Sequence, residues 1–379
     1  MKVAVFVGTR ADLGPLLPVV RALVGAGAEP TLLTGVAFDA QGLVDLVMAE
    51  LDMPLPVEQL ATPVEAVTSV VQREQGRAIT AGLADLLDRT SFDRLVVLGD
   101  RWELLFVVPQ FFLAEVPIVH LHGGEVTEGV IDERVRHAVT KLADLHCVAS
   151  RDAADRLRQM GEQDDRVHVT GAPGLDRFVG LDRADDDALA DLVGRPVVRP
   201  LALFTYHPPT AVPAAQTRRW ASEALEATLA ACGTVVATHP GFDVGREEIL
   251  GALNEVAAAD ESLIVIESLG RGYPRMLASC DVVVGNSSSG VIEAASVGVP
   301  AVDIGERQRG RLRGDNVVWS AEGAEAVRAA LATALDPEFG ERARGVANPY
   351  GDGTAAQRIA AVVLADAPPR AKPFVDVRS

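Results

Sequence analysis

Short β-branched runs alternate with longer Ala- and Leu-rich amphipathic stretches, and they do so twice along the chain. In the first half this rhythm predicts strands over 2–7, 30–34, 94–98, 118–121 and 146–149. Helices are expected over 15–24, 41–50, 77–88 and 133–143. Such alternation brings successive strands into a parallel sheet covered by helices on both faces. Near 181–200 the character changes: Asp182 and Asp185 to Asp187 precede Pro196 and Pro200, the composition of an exposed linker. The pattern then restarts, with strands over 201–205, 234–238, 263–266, 282–284 and 301–304. Helices there are expected over 217–231, 246–258, 273–280 and 290–297. The fold class is therefore α/β with two parallel sheets, and 379 residues suffice for two domains with separate cores. The expected division is 1–180, 200–365 and a tail, 366–379, packing back on the first half. Two like halves place a ligand in the cleft between them.

Composition narrows the partners. The apolar start Val3 to Val7 is interrupted by Gly8, Arg10 and Asp12, too soon for a signal-peptide core or a membrane span, so a cytoplasmic location is expected. Cys147, Cys232 and Cys280 are far apart in apolar runs and read as reduced, buried thiols. A formal charge of −18 argues against nucleic acid and anionic membranes as partners, so positive charge for an anionic ligand must be local.

In open parallel sheets ligands sit beyond the carboxyl ends of strands. Gly8-Thr9-Arg10-Ala11-Asp12-Leu13-Gly14-Pro15 follows the first strand; its amides and Arg10 could hold a phosphate, although an ordinary strand-to-helix turn explains it as well. Gly99-Asp100-Arg101-Trp102-Glu103 follows another, with Asp100 available for acid/base work and Arg101 for phosphate, or both for an internal ion pair. The densest segment is His120-Leu121-His122-Gly123-Gly124-Glu125, then Asp132-Glu133 and Arg136-His137. Strand alternation puts His120 and His122 on one face, and Asp132 suits the N-cap of the next helix. Two histidines with carboxylates could hold a metal, but arginines already supply the phosphate charge. Neither metal nor cofactor is expected.

In the second half His207, in Thr205-Tyr206-His207-Pro208, suits a proton donor or a phosphate ligand. His239-Pro240-Gly241-Phe242-Asp243 reads as a wall of the cleft. His146 and His168 read as satisfied core histidines. Gly285-Asn286-Ser287-Ser288-Ser289-Gly290 opens a helix bearing Glu293, a ready anion site with a carboxylate placed for ribose hydroxyls. Arg307 follows the next strand, where it could grip a diphosphate.

These segments resemble the hydrolysing UDP-N-acetylglucosamine 2-epimerases of sialic-acid biosynthesis. The resemblance runs from about Lys2 to Arg313 and is carried by GTRAD (8–12), GDRWE (99–103), HLHGGEVTEGVIDERVRHAVTK (120–141), GAPGLD (171–176), TYHP (205–208), GNSSSG with Glu293, and IGERQRG (304–310). Non-hydrolysing relatives carry an HVEAG-type segment and a Pro-Glu-Glu motif, absent here. The resemblance implies two Rossmann-like domains of the glycosyltransferase-B type, without a metal, assembled as a homodimer or homotetramer. It implies Arg10, Arg101, Arg307, His207, Ser287 and Ser288 on the UDP phosphates and Glu293 on the ribose. Asp100, Glu125, Asp132, His122 and His137 would surround the sugar, and Asp12 and Gly171 join the substrate-binding set. Several members have a glutamate where His122 stands, and a TGxH segment where this chain has Thr34-Gly35-Val36-Ala37.

The expected substrate is UDP-N-acetylglucosamine or a close derivative. Loss of UDP from carbon 1 and of the proton from carbon 2 gives a glycal, which water converts to N-acetylmannosamine. A glycosyltransferase of the same fold, a non-hydrolysing epimerase and a non-catalytic nucleotide-sugar sensor are the competing readings.

Overall fold

A computed structural model describes residues 1–64, 68–126, 131–209, 212–240, 245–366, 368 and 371–376. It divides into two compact units, Met1–Arg177 together with Tyr350–Ser379, and Phe178–Pro349.

The first unit contains β1 (Lys2–Val7), α1 (Arg10–Gly25), β2 (Glu29–Thr34), α2 (Ala40–Leu51), β3 (Val57–Gln59), α3 (Ser69–Arg89) and β4 (Arg94–Leu98). It continues with α4 (Leu104–Leu113), β5 (Ile118–Leu121), α5 (Ile131–Leu142), β6 (Leu145–Val148), α6 (Arg151–Gln159) and β7 (Val167–Val169). The strands form one parallel sheet in the order β3-β2-β1-β4-β5-β6-β7. Because side chains alternate across a strand, Val3, Val5 and Val7 of β1 enter one core with Leu16, Val20 and Leu43. Ala4 and Phe6 enter the other with Ile79, Leu83 and Val107. Burial on both faces is why β1 reads as an unbroken apolar run.

The second unit contains α7 (Asp186–Val193), β8 (Leu201–Thr205), α8 (Ala214–Ala231), β9 (Thr234–Thr238), α9 (Arg246–Ala257), β10 (Leu263–Ile266), α10 (Tyr273–Ser279) and β11 (Val282–Gly285). After these come α11 (Ser288–Ile292), β12 (Ala301–Ile304), β13 (Val317–Ser320), α12 (Ala324–Ala334) and α13 (Pro337–Arg344). Its parallel sheet has the order β10-β9-β8-β11-β12-β13. Ala202 and Phe204 face one core, Leu201 and Leu203 the other. In both sheets the order reverses once, between β1 and β4 and between β8 and β11. Those are the positions where doubly wound sheets bind ligands.

Several boundaries differ from the sequence reading. α1 begins at Arg10, so the GTRAD segment is already helical. α3 begins at Ser69, with the Thr68 hydroxyl accepting from the Val71 amide 3.3 Å away. The helix expected over 290–297 divides into α11 and a separate 3₁₀ turn, Ala294–Val297. The largest difference is at the C-terminal end. α14 (Ala355–Leu364), expected in the second half, belongs to the first unit. Its apolar stripe of Ala355, Ala356, Ile359, Ala360 and Val363 joins Val3, Leu16 and Val20 in one core. Beyond it, Ala371 accepts from Arg166 at 3.0 Å and Lys372 donates to Ala143 O at 2.8 Å. Among the described residues no helix is long and apolar enough to cross a membrane.

Candidate active site

At the first switch point the loops after β1 and β4 interlock. A Cβ at Gly8 would lie 2.5 Å from Arg101 Nε, so only glycine lets that guanidinium cross the turn. Arg101 donates to the buried Glu103 carboxylate at 2.7 Å, the ion-pair alternative that the sequence allowed. Burial opposes its charge, but Glu103, Asp12 and Asp132 outweigh that and raise Arg101 above its ordinary value. Asp12 Oδ2 accepts from the amides of Gly8 and Thr9, both at 2.8 Å. Those were the amides that could have held a phosphate; the chain's own carboxylate occupies them, so Asp12 caps the helix, as in the ordinary strand-to-helix turn that the sequence also allowed. Exposed Arg10 lines a pocket of about 450 Å³ with Ala37, Phe38, Asp39, Leu46 and Pro63.

The loop after β5 carries most of the titratable groups. His120 and His122 do not share a face, because β5 ends at Leu121 and His122 adopts a left-handed conformation with φ 60°. His120 points into the core and donates from Nε2 to Gly99 O at 2.8 Å. Burial holds its pKa down near 3, so the ring is neutral and Nδ1 accepts from the Thr140 hydroxyl at 3.3 Å. His122 instead turns to Glu125, with Nδ1 and Oε1 2.5 Å apart. Its Nε2 is buried and has no hydrogen-bond partner among the described residues.

Arg136, on α5 and only 1% exposed, ties the cluster together. It donates to the Asp100 carboxylate, to Glu133 at 2.6 Å and to the Glu125 carbonyl at 2.6 Å. Burial opposes its charge, yet Asp100, Glu133 and Glu125 raise it above its ordinary value. Half-exposed His137 has Nε2 3.5 Å from Glu133 Oε1. Asp132 lies in the first turn of α5, close enough for its charge to act on Arg101. Gly171 sits elsewhere in the unit, where a Cβ would lie 3.1 Å from Tyr350 O; packing of the returning chain accounts for it. Residues 127–130 of the central motif lie outside the described residues, as do 241–243 of the segment after His239.

In the second unit the loops after β8 and β11 interlock through Asn286, which is fully buried. Its side chain accepts from His207 N at 2.6 Å and donates to His207 O at 2.8 Å. The Asn286 carbonyl accepts from Arg307 at 3.1 Å and from Gln308 at 2.9 Å. Burial, and then the charge of Arg307, lower the His207 pKa to about 3. A neutral His207 can donate one N–H to an anion. Ser287 caps α11, its hydroxyl accepting from Ser289 N at 3.4 Å and from Ser289 Oγ at 3.0 Å, with Ser288 next to it. Glu293, just past α11, accepts from the Tyr273 hydroxyl at 3.2 Å. Gly285 has φ 137°, and a Cβ there would lie 2.0 Å from Thr205 O; no other residue fits this crossing.

Residues 31–364 match the family model described as UDP-N-acetylglucosamine 2-epimerase. The chain belongs to the UDP-N-acetylglucosamine 2-epimerase family. It is 32% identical over 277 residues to the hydrolysing UDP-N,N'-diacetylbacillosamine 2-epimerase of Legionella pneumophila, spanning 73% of this chain and 72% of that protein. It is 29% identical over 247 residues to the hydrolysing GDP/UDP-N,N'-diacetylbacillosamine 2-epimerase of Campylobacter jejuni, 63% of each chain. A crystal structure of the UDP-GlcNAc 2-epimerase from Neisseria meningitidis bound to UDP-GlcNAc matches with a TM-score of 0.79 at 18% identity, over 96% of this chain and 100% of that one. At that identity the likeness is one of fold.

Three residues tie these turns together without a role having been given to them in the sequence: Arg136, Asn286 and Gln308. Each lay inside a recognised motif. Among the described residues no three His, Cys, Asp or Glu side chains gather as a metal site.

Proposed function

We propose that the chain is a hydrolysing 2-epimerase of UDP-amino sugars, taking UDP-N-acetylglucosamine or a close derivative plus water to the N-acetylmannosamine product and UDP. The observation that carries this reading is the His122–Glu125 pair. A carboxylate accepting from Nδ1 fixes the tautomer in which Nε2 presents a lone pair, the arrangement of a general base. His122 Nε2, buried and unpartnered among the described residues, is the atom assigned to the carbon 2 proton. Asp100, oriented by Arg136, stabilises positive character at carbon 1 as the bond to UDP breaks. The glycal then takes hydroxide character at carbon 1 from water and a proton at carbon 2 on the opposite face; Asp132 and His137 are the groups assigned to that return. In the second unit Arg307, Ser287, Ser288 and the His207 N–H take the diphosphate, and Glu293 the ribose.

The names of the Legionella and Campylobacter relatives favour the hydrolysing reaction. They also favour a second choice of sugar, one carrying an acylated amine at carbon 4; the pocket beside Arg10, with apolar Phe38, Leu46 and Pro63 and acidic Asp39, suits such a substituent. Incubating the purified chain with each UDP-sugar in heavy water and in oxygen-18 water tests the mechanism. Deuterium at carbon 2 and oxygen-18 in the free sugar are expected. A nucleotide-bound mannosamine product would show a non-hydrolysing enzyme, and label in UDP would place cleavage at phosphorus.

A further inference from the structure

We propose that Lys372, in the C-terminal segment, is a positioning residue that holds the two catalytic turns of the first unit in place through His120. The inference rests on the proposed function only in calling those turns catalytic.

The Lys372 side chain reaches from the C-terminal segment into the first unit and is 18% exposed. Its ammonium donates to Thr140 O at 3.1 Å and Lys141 O at 3.4 Å in the last turn of α5, and to Ala143 O at 2.8 Å just beyond it. A cation at a helix C-terminus satisfies carbonyls that have no partner within the helix. It also pairs with Glu162, whose side chain is completely buried. That carboxylate accepts in addition from Lys141 at 2.7 Å and from His146 Nε2 at 3.0 Å.

Both contacts lead to His120. Thr140, whose carbonyl Lys372 holds, donates its hydroxyl to His120 Nδ1. His146, held by Glu162, stacks edge-on against His120 with centroids 6.4 Å apart. His120 in turn sits beneath both turns. It donates to Gly99 O, one residue before Asp100, and a Cβ at Gly123 would lie 3.1 Å from its Nδ1. A neutral imidazole has one donor and one acceptor, and here both are used, so the ring has a single orientation. Loss of the ammonium loosens the end of α5, frees one side of Glu162 and lets His120 rock. The carbonyl of Gly99 then moves, and Asp100 with it. Charge at Lys372 is therefore read out about one residue from a catalytic carboxylate, although Lys372 touches no substrate.

Two variants test this in the full-length chain. Lys372→Met keeps the stem and removes the charge; Thr140→Val removes the hydroxyl and keeps the shape. Both are expected to lower kcat about tenfold, since small misplacements of a reacting group are that costly, with the affinity for UDP unchanged. Hydrogen exchange of peptides covering residues 99–101 and 122–125 should accelerate at a temperature where both variants are fully folded. Lys372→Arg, which keeps a donor and a charge, should restore both readouts. Unchanged kcat and unchanged exchange in the two variants, with only a lower melting temperature, would show a purely structural role and overturn the proposal. A wild-type chain without epimerase turnover overturns the proposed function; faster exchange in the variants would still support the positioning.

Discussion

Replacing Arg136 with methionine separates what the first unit needs for folding from what it needs for chemistry. Methionine fills most of the space but leaves the carboxylates of Asp100 and Glu133 and the Glu125 carbonyl without their shared donor. Breaking a buried ion pair by removing one partner costs about 3–5 kcal/mol. Here the guanidinium is buried, but Asp100 and Glu133 are 28% and 24% exposed. Water can partly rehydrate them, which places the loss at about 3 kcal/mol, the low end of the range for a broken buried pair. For a unit of this size that lowers Tm by about 6–12 °C. Turnover should fall further than stability does, because Asp100 and the Glu125 backbone lose their common anchor; a kcat about a hundredfold lower, measured well below the new Tm, is expected for a misplaced group. The assays are thermal unfolding by circular dichroism and UDP release at 20–25 °C, about the usual reference temperature. A variant with lowered Tm but wild-type kcat would refute the argument, since it would make Arg136 a strut and nothing more.

Three further outcomes are expected. Arg307→Ala should raise KM about 10–100-fold, the loss of one charge-assisted hydrogen bond, while Asp100→Asn should lower kcat about 10²–10⁴-fold with little change in KM; a change confined to KM in both would remove Asp100 from the chemistry. His120 and His207 have pKa values near 3 in the folded chain against about 6.5 unfolded. The unfolded chain therefore binds more protons between those values, and stability should fall as pH drops from about 6.5 towards 3, by up to about 1.4 kcal/mol per pH unit per histidine. Urea midpoints from pH 7 to 4.5 measure the slope, and His120→Asn, which keeps a donor for Gly99 O, should reduce it; an equal slope in that variant contradicts the assignment. Gly285→Ala should destabilise the second unit by about 1–3 kcal/mol through backbone strain alone, with more from the clash at Thr205 O, and an unchanged unfolding midpoint would refute that reading.

The sheets were legible because strands buried on both faces write themselves as apolar runs, as in Val3 to Val7 and Val282 to Val284. α4 was not assigned: its sequence Leu104 to Leu113 is apolar all round and holds Pro109, so neither helical period nor strand alternation stands out. No helix was assigned over 355–364, which the division at 365 left in the second half; an apolar stripe declares that it covers a sheet, not which one. Within the site, residue types were legible and geometry was not. Alternation predicted a shared face for His120 and His122, and one left-handed residue undid it. The amides of Gly8 and Thr9 could have served a phosphate or an ordinary strand-to-helix turn; the structure spends them on Asp12. Lys372 and Glu162 are so far apart along the chain that no local pattern links them.

The return of α14 to the first unit has a consequence for synthesis. The second unit is one continuous stretch, whereas the first is assembled from both ends of the chain. As the polypeptide leaves the ribosome, the core made by Val3, Leu16 and Val20 lacks Ile359 and Val363 until the whole second unit has emerged. The nascent first unit thus passes through a stage with an incomplete apolar surface, the state in which larger chains aggregate or recruit chaperones. A chain terminated after residue 349 but before α14 would carry a finished second unit tethered to an unfinished first one.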